Sequence, residues 1–293
     1  MEEYKYRKID AFTEGKSLGN PAACIFLNEK QSLSDSDMLS IARQHKGFVS
    51  EIVYCVPQTQ SSFHLTYYSS ECEVDFCGHG TIACMYNLLK ETPSLFNQKE
   101  IVVHTNKKGS LTVYNDIAEK DSVFITAPIP QYIGTNLNAD DIAEILLLNT
   151  NQISTSYPIE MIDAGLRTLI VPIAALSDEI NIFPNEQDLK AFCLHNEIDI
   201  VLIFSVETDK EENIAHTRVF APKFGYLEDP ATGSGNSAFG YYMRKNSMWN
   251  GESTTVEQGG ADRIFNAINL LYKDNHLLFG GKATTRIKGV YCL

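Results

Sequence analysis

A short pattern occurs twice in this chain, about half its length apart. Cys77-Gly78-His79-Gly80-Thr81-Ile82-Ala83-Cys84 and Thr232-Gly233-Ser234-Gly235-Asn236-Ser237-Ala238-Phe239 both read as G-x-G-x-x-A opening a helix. Each follows acidic residues: Glu71, Glu73 and Asp75 before the first, Glu228 and Asp229 before the second. The duplication points to two related halves with one such helix in each. A helix N-terminus presents unpaired N–H groups and partial positive charge, so it attracts anions. Glycine lets the backbone come close to a ligand. Two such ends, one per half, are suited to converge on one acidic small molecule, with the ligand cleft between the halves as the active site.

The rest of each half reads mostly as strands. In the first half these are Tyr4 to Phe12, Ala22 to Leu27, Glu51 to Val56, Phe63 to Tyr68, Glu100 to Thr105, Gly109 to Asn115 and Ser122 to Ala127. Ser34 or Asp35 can cap a helix over Met38 to Ala42. The helix from Gly80 carries Ile82, Ala83, Met85, Tyr86, Leu88 and Leu89, apolar nearly all round, which predicts burial. Pro128-Ile129-Pro130 marks the preferred boundary. That gives an N-terminal lobe over 1–127, to which the last strand, 283–293, can return, and a C-terminal lobe over 128–282. The second half repeats the layout, with helices over Ala139 to Asn149, Glu186 to His195 and Ser237 to Lys245. The fold class expected is α+β: two pseudo-symmetric lobes, each a sheet wrapped around a central helix.

Composition narrows the function. The chain has 293 residues, 44% of them hydrophobic, enough for a sizeable core. Net charge is −13, from 24 basic and 37 acidic residues, which disfavours nucleic acid as a partner. An anionic substrate would therefore need local positive potential at its site. No apolar run reaches ~18 residues, so no membrane span is expected. Met1-Glu2-Glu3-Tyr4 lacks the basic and apolar regions of a signal peptide. Seven irregularly spaced cysteines with no C-x-x-C pair fit a reducing cytoplasm and predict no zinc or thioredoxin chemistry. A dinucleotide fingerprint would need an acidic end on the next strand, and Ile101-Val102-Val103-His104-Thr105-Asn106 has none.

The longest informative run is Thr217-Arg218-Val219-Phe220-Ala221-Pro222, then Gly225, then Glu228-Asp229-Pro230-Ala231-Thr232-Gly233-Ser234-Gly235. Gly19-Asn20-Pro21, Glu73-Val74-Asp75-Phe76-Cys77-Gly78-His79-Gly80-Thr81, Gln258-Gly259 and Phe279-Gly280-Gly281-Lys282-Ala283 accompany it in order. Together these resemble the PhzF-like family of phenazine biosynthesis. The resemblance runs from the first strand to the last. It implies the fold shared with diaminopimelate epimerase and cofactor-free, metal-free proton-transfer chemistry; in the family's best-understood member a glutamate moves a proton along the ring of a dihydro-hydroxyanthranilate, and many members have no assigned substrate. It also implies a frequent homodimer, which the residues themselves neither support nor exclude.

Carried over by motif, the catalytic glutamate is Glu51 in Phe48-Val49-Ser50-Glu51-Ile52-Val53. A general acid/base must hold a proton at one step and release it at another, and an apolar strand suits such a carboxyl. His79, between two glycines at the positive end of a helix, is expected to stay neutral and to polarise a substrate group or relay a proton. Asp229 is placed against the substrate's amino or hydroxyl group; helix capping is its other reading. Ser234 and the amides around Gly233 and Gly235 would hold the carboxylate, paired with amides at Gly78 to Gly80.

Related epimerases and proline racemases use two opposed cysteines, one before each glycine turn. Here the second place holds Thr232, a poor base, and Cys77 reads as a packed thiol. The sequence also departs from the Gly-Arg-Pro-Ser-like run that often follows Gln-Gly, keeping only Arg263. The reading reached is a cofactor-independent isomerase of a small carboxylic acid. Two alternatives stay open: an amino-acid or imino-acid racemase or dehydratase using Cys77, and a non-catalytic metabolite-binding or interaction protein.

Overall fold

The computed structural model describes residues 2–293. The chain divides into two compact units, residues up to Thr126 together with Gly280–Leu293, and Ala127–Phe279. The first unit runs β1 (Glu3–Ala11), β2 (Asn20–Phe26), α1 (Asp35–Gln44), β3 (Glu51–Pro57), β4 (Ser62–Tyr68), β5 (Glu73–Val74), α2 (Gly78–Glu91), β6 (Glu100–Thr105), β7 (Gly109–Asp116), α3 (Ile117–Lys120) and β8 (Ser122–Thr126). The second runs β9 (Gln131–Ile133), α4 (Ala139–Leu146), β10 (Glu160–Asp163), β11 (Arg167–Pro172), α5 (Leu176–Glu179), α6 (Glu186–His195), β12 (Ile200–Ser205), β13 (Ala215–Phe220), β14 (Glu228–Asp229), α7 (Gly233–Lys245), β15 (Thr254–Gln258) and β16 (Asn266–Lys273). β17 (His276–Gly281) crosses the boundary, and β18 (Ala283–Cys292) ends the chain in the first unit.

The pairings of the two units match strand for strand. β2 runs parallel to β3, which pairs antiparallel with β4; β4 pairs antiparallel with β5 and parallel with β6. In the second unit β11, β12, β13, β14 and β15 repeat that order and those directions. Parallel neighbours need a crossover, commonly a helix. α1 supplies it between β2 and β3, and α2 and α7 supply it between β4 and β6 and between β13 and β15. The first strand of each repeat gains its outer partner from the chain beyond the other repeat: β1 pairs with β18, and β10 pairs with β9.

Local chemistry sets the helix limits. Ser34 accepts from the Asp37 backbone N–H while the Asp37 carboxylate accepts from that of Ser34, a capping box that starts α1. α4 stops at Leu146, short of the expected Asn149, because Leu147 turns left-handed at φ 58° and caps it. α7 starts at Gly233 rather than Ser237, since the glycines themselves form its first turn. The apolar face of α2, with Ile82, Ala83, Cys84, Met85 and Leu89 buried, lies on β1, β2, β3, β8 and β18. α7 buries Ala238, Phe239, Tyr242 and Met243 against β10, β11, β12 and β16. All seven cysteines are free thiols. Among the described residues no helix is long and apolar enough to cross a membrane.

The second unit also buries an acid–base pair. His216 Nδ1 lies 3.1 Å from Glu179 Oε1, both side chains fully buried, with the His216 ring edge-on to Phe265. Burial pushes Glu179 well above the usual carboxylate range and His216 down to about 4, so His216 is neutral at pH 7 and Glu179 favours its protonated form. Their signs oppose on acidification. Below about 6.5 the unfolded chain protonates His216 before the folded one does, which costs stability; Glu179 binds its proton more tightly folded than unfolded, which adds stability as pH falls. Glu179→Gln removes only the second effect. Between pH 7 and pH 5 this variant is expected to lose about 2 kcal/mol through His216 alone. Urea unfolding at the two pH values checks this; a variant that tracks the natural protein would refute it.

Candidate active site

The two glycine turns have the same backbone. Cys77 stands at the N-cap of α2 with φ −132° and ψ 106°, Thr232 at that of α7 with φ −116° and ψ 105°. Each follows a two-residue strand, β5 on β4 or β14 on β13. The third motif position is glycine for space. A Cβ on Gly80 would meet Val53 Cγ2 at 2.8 Å and Cys77 Sγ at 2.9 Å; one on Gly235 would meet Ile200 Cδ1 at 3.2 Å and Thr232 Cγ2 at 3.3 Å. Val53 and Ile200 sit on the equivalent strands β3 and β12, so both helices dock the same way.

In the first unit Glu51, Gly78, His79 and Gly80 come together around Cys77. Glu51 opens β3 opposite Ala22 of β2, which aims the strand's first side chain at the start of α2. His79 Nε2 lies 3.2 Å from Glu51 Oε2. Cys77 Sγ lies 3.8 Å from the same oxygen and 3.5 Å from His79 Nδ1. The Gly80 N–H donates to Cys77 Sγ at 3.2 Å, so this amide is engaged by the thiol before any ligand arrives. The His79 and Glu51 side chains are 14% and 21% exposed, sheltered yet within reach of a small molecule.

The electrostatics correct one expectation. Burial and the helix end both favour a neutral His79, but the Cys77 sulfur and the Glu51 carboxylate outweigh them and hold the imidazole well above its ordinary range. These neighbours thus favour the protonated imidazole that burial and the helix end disfavour. Burial pushes the Cys77 thiol up and Glu51 adds to this, against the opposing pull of His79 and the Gly80 amide.

In the second unit Asp229, Gly233, Ser234 and Gly235 lie at the second turn. The Asp229 carboxylate accepts from Thr232 Oγ1 in a short hydrogen bond, and Ser234 is half-buried in the first turn of α7. Asp229 does not occupy the N-cap, which is Thr232. The acids flanking the turns serve mainly their own units. Glu228 forms a two-point pair with the fully buried Arg218, at 2.9 and 2.8 Å, and Glu73 meets Asn106 and Lys107. Arg218 also donates to the carbonyls of Glu179 and Ile182.

Sequence reasoning passed over the residue that braces this turn. Gln258, fully buried at the end of β15, accepts from Thr232 N–H at 2.9 Å and Asn236 Nδ2 at 2.8 Å, and donates to the Asp229 carbonyl at 2.7 Å. Asn266 Nδ2 adds a bond to the Pro230 carbonyl. The Gln258-Gly259 dipeptide was visible as a motif, but its partner lies on another element, so the contact carried no local signal. Gln258→Leu strands these groups without water and is expected to cost about 2–3 kcal/mol, read as a lower urea midpoint; an unchanged midpoint would show the brace to be dispensable.

Residues 9–289 match the family described as phenazine biosynthesis-like protein, PhzC-PhzF. The chain is 27% identical to antisense-enhancing sequence 1 of Schizosaccharomyces pombe, over 99% of each chain. It is 27% identical to the uncharacterized isomerase YfhB of Bacillus subtilis, over 88% of this chain and 87% of that one. Its fold matches the crystal structure of the Bacillus anthracis PhzF-family phenazine biosynthesis protein, with a TM-score of 0.85 at 22% identity and full coverage of both chains.

Proposed function

This chain belongs to the phenazine biosynthesis-like PhzC-PhzF family, and from that premise we propose that it is a cofactor-independent isomerase that shifts a proton within a small carboxylic acid. The observation that carries the reading is the 3.2 Å contact between Glu51 Oε2 and His79 Nε2 beside the start of α2. A carboxylate is a base for a C–H made acidic by a neighbouring acid group. The imidazolium beside it supplies a positive charge, and a proton, where negative charge develops. Glu51 takes the proton from one carbon and returns it to another. His79 steadies the intermediate anion, and the first-turn amides of α2 at Gly78 and His79 attract the ligand's carboxylate. Asp229, Ser234 and the amides at Gly233 and Gly235 stand at the corresponding turn of the second unit. The relatives named as isomerases support this class of reaction.

The thiol reading is the weaker one. Cys77 is held protonated by burial, and a thiol that keeps its proton is a poor base. The equivalent position in the second turn is Thr232, whose hydroxyl donates to Asp229.

The test is solvent proton exchange followed by NMR in heavy water, with a panel of amino, hydroxy and cyclic unsaturated carboxylic acids that includes dihydro-hydroxyanthranilate. Deuterium entering one carbon of one panel member at a catalytic rate is the expected result. Ligand binding without exchange would overturn the catalytic reading in favour of a metabolite-binding role.

A further inference from the structure

The trio at the start of α2 has a second property. Glu51 Oε2, Cys77 Sγ and His79 Nε2 form a triangle with sides of 3.2 Å from oxygen to nitrogen, 3.8 Å from sulfur to oxygen and 3.8 Å from sulfur to nitrogen. In a tetrahedral zinc site the bonds are about 2.0–2.2 Å to nitrogen or oxygen and about 2.3 Å to sulfur, which makes the ligand-to-ligand edges about 3.3–3.7 Å. The three atoms already stand close to one face of such a tetrahedron. We propose that Glu51, Cys77 and His79 form a binding site for a soft divalent cation, Zn2+ in particular, with the fourth position open to water or to a ligand carboxylate.

Three further observations support it. Thiolate, imidazole and carboxylate are the donor types zinc takes, and three protein ligands with one open position is the pattern of an accessible zinc rather than a structural one. The Gly80 N–H points at Cys77 Sγ at 3.2 Å and, with the start of α2, supports negative charge on sulfur once a cation arrives. The partial exposure of Glu51 and His79 gives the ion a way in. Among the described residues no other trio of such donor atoms lies within 4.8 Å of one another. Spacing in the sequence could not reveal this site, because one ligand opens β3 and the other two straddle the start of α2.

Capture has a proton balance. The cation binds thiolate and neutral imidazole, so any protons these ligands carry leave to solvent as it binds, and binding strengthens as pH rises. A bound cation also occupies the carboxylate oxygen that the proposed isomerisation uses. It therefore inhibits, reversibly by chelation; this consequence, unlike the binding itself, rests on the isomerase reading.

The experiment uses the full chain with the exposed thiols Cys72 and Cys292 changed to serine, titrated with Co2+ as the probe and then with Zn2+. One equivalent of Co2+ should give a thiolate-to-cobalt charge-transfer band with the intense visible bands of tetrahedral cobalt, bleached by Zn2+. Cys77→Ala should lose the charge-transfer band, and Glu51→Gln should weaken Co2+ binding while the band persists. No band in the parent, octahedral cobalt, or a band undiminished in Cys77→Ala would overturn the site. If Cys77→Ala fails to fold, Glu51→Gln decides: unchanged Co2+ affinity overturns the three-ligand site. Spectra need no turnover, so an absence of proton exchange in the metal-free protein would remove the isomerase reading and leave the metal result standing.

Discussion

Glu51→Gln is expected to lower turnover by about 10²–10⁴-fold, the range set by removing a general acid/base. The substitution keeps the shape of the side chain and an oxygen that can accept from His79, but the amide cannot carry the proton between carbons. Glu51 is partly exposed at the start of a strand, so stability should change by no more than about 1 kcal/mol, and lost turnover would not reflect unfolding. A second readout separates chemistry from positioning. After Cys77, Glu51 is the other group that pushes His79 toward its protonated form, so in the variant the imidazole should titrate at lower pH, visible in the NMR shifts of its ring nitrogens. Full turnover in Glu51→Gln, together with inactivation by alkylation of Cys77, would move the proton transfer to the thiol.

The parts of this protein that could be read from its sequence are those with local cause. The duplicated glycine turn identified both crossover helices because a Cβ at the third position would clash on β3 and crowd, less tightly, on β12. Glu51 was reachable through its motif, and its place beside His79 follows from β3 running parallel to β2. What was not legible depends on groups distant in sequence. The neutral His79 expected from the helix end weighed only the dipole of α2; Cys77 at the same turn and, after it, Glu51 from β3 push the imidazole toward its protonated form. β5 and β14, two residues each, are too short to carry an alternating pattern, though they set the entry to both turns. Glu179, His216 and Arg218 have side chains typical of a surface, and only the pairing of β12 with β13 and the fold of α5 reveal that they are buried. The acids that flank the turns, read as a sign of the site, are explained largely by structure, since Glu228 serves Arg218.

The largest effect on folding is expected from one methyl group. A Cβ on Gly280 would lie 1.9 Å from the Val123 carbonyl oxygen and 2.8 Å from Phe124 Cα, all backbone of the first unit. No rotamer relieves such a contact, and β8 can yield only by giving up its place in the sheet. Gly280→Ala should therefore destabilise the protein by at least about 3 kcal/mol, enough to consume a large share of a typical margin of about 5–15 kcal/mol. Gly289, on β18, provides the control: a Cβ there meets nothing within 4 Å and its φ is not positive. Gly289→Ala should be neutral, or stabilising by up to about 1 kcal/mol, because alanine loses less backbone freedom on folding. Paired urea unfolding of the two variants measures the difference. Equal midpoints would mean that β8 and β17 do not approach as closely as these distances require, whereas a collapse confined to Gly280→Ala ties the Phe279-Gly280-Gly281 motif to backbone packing and leaves the chemistry to the trio at the start of α2.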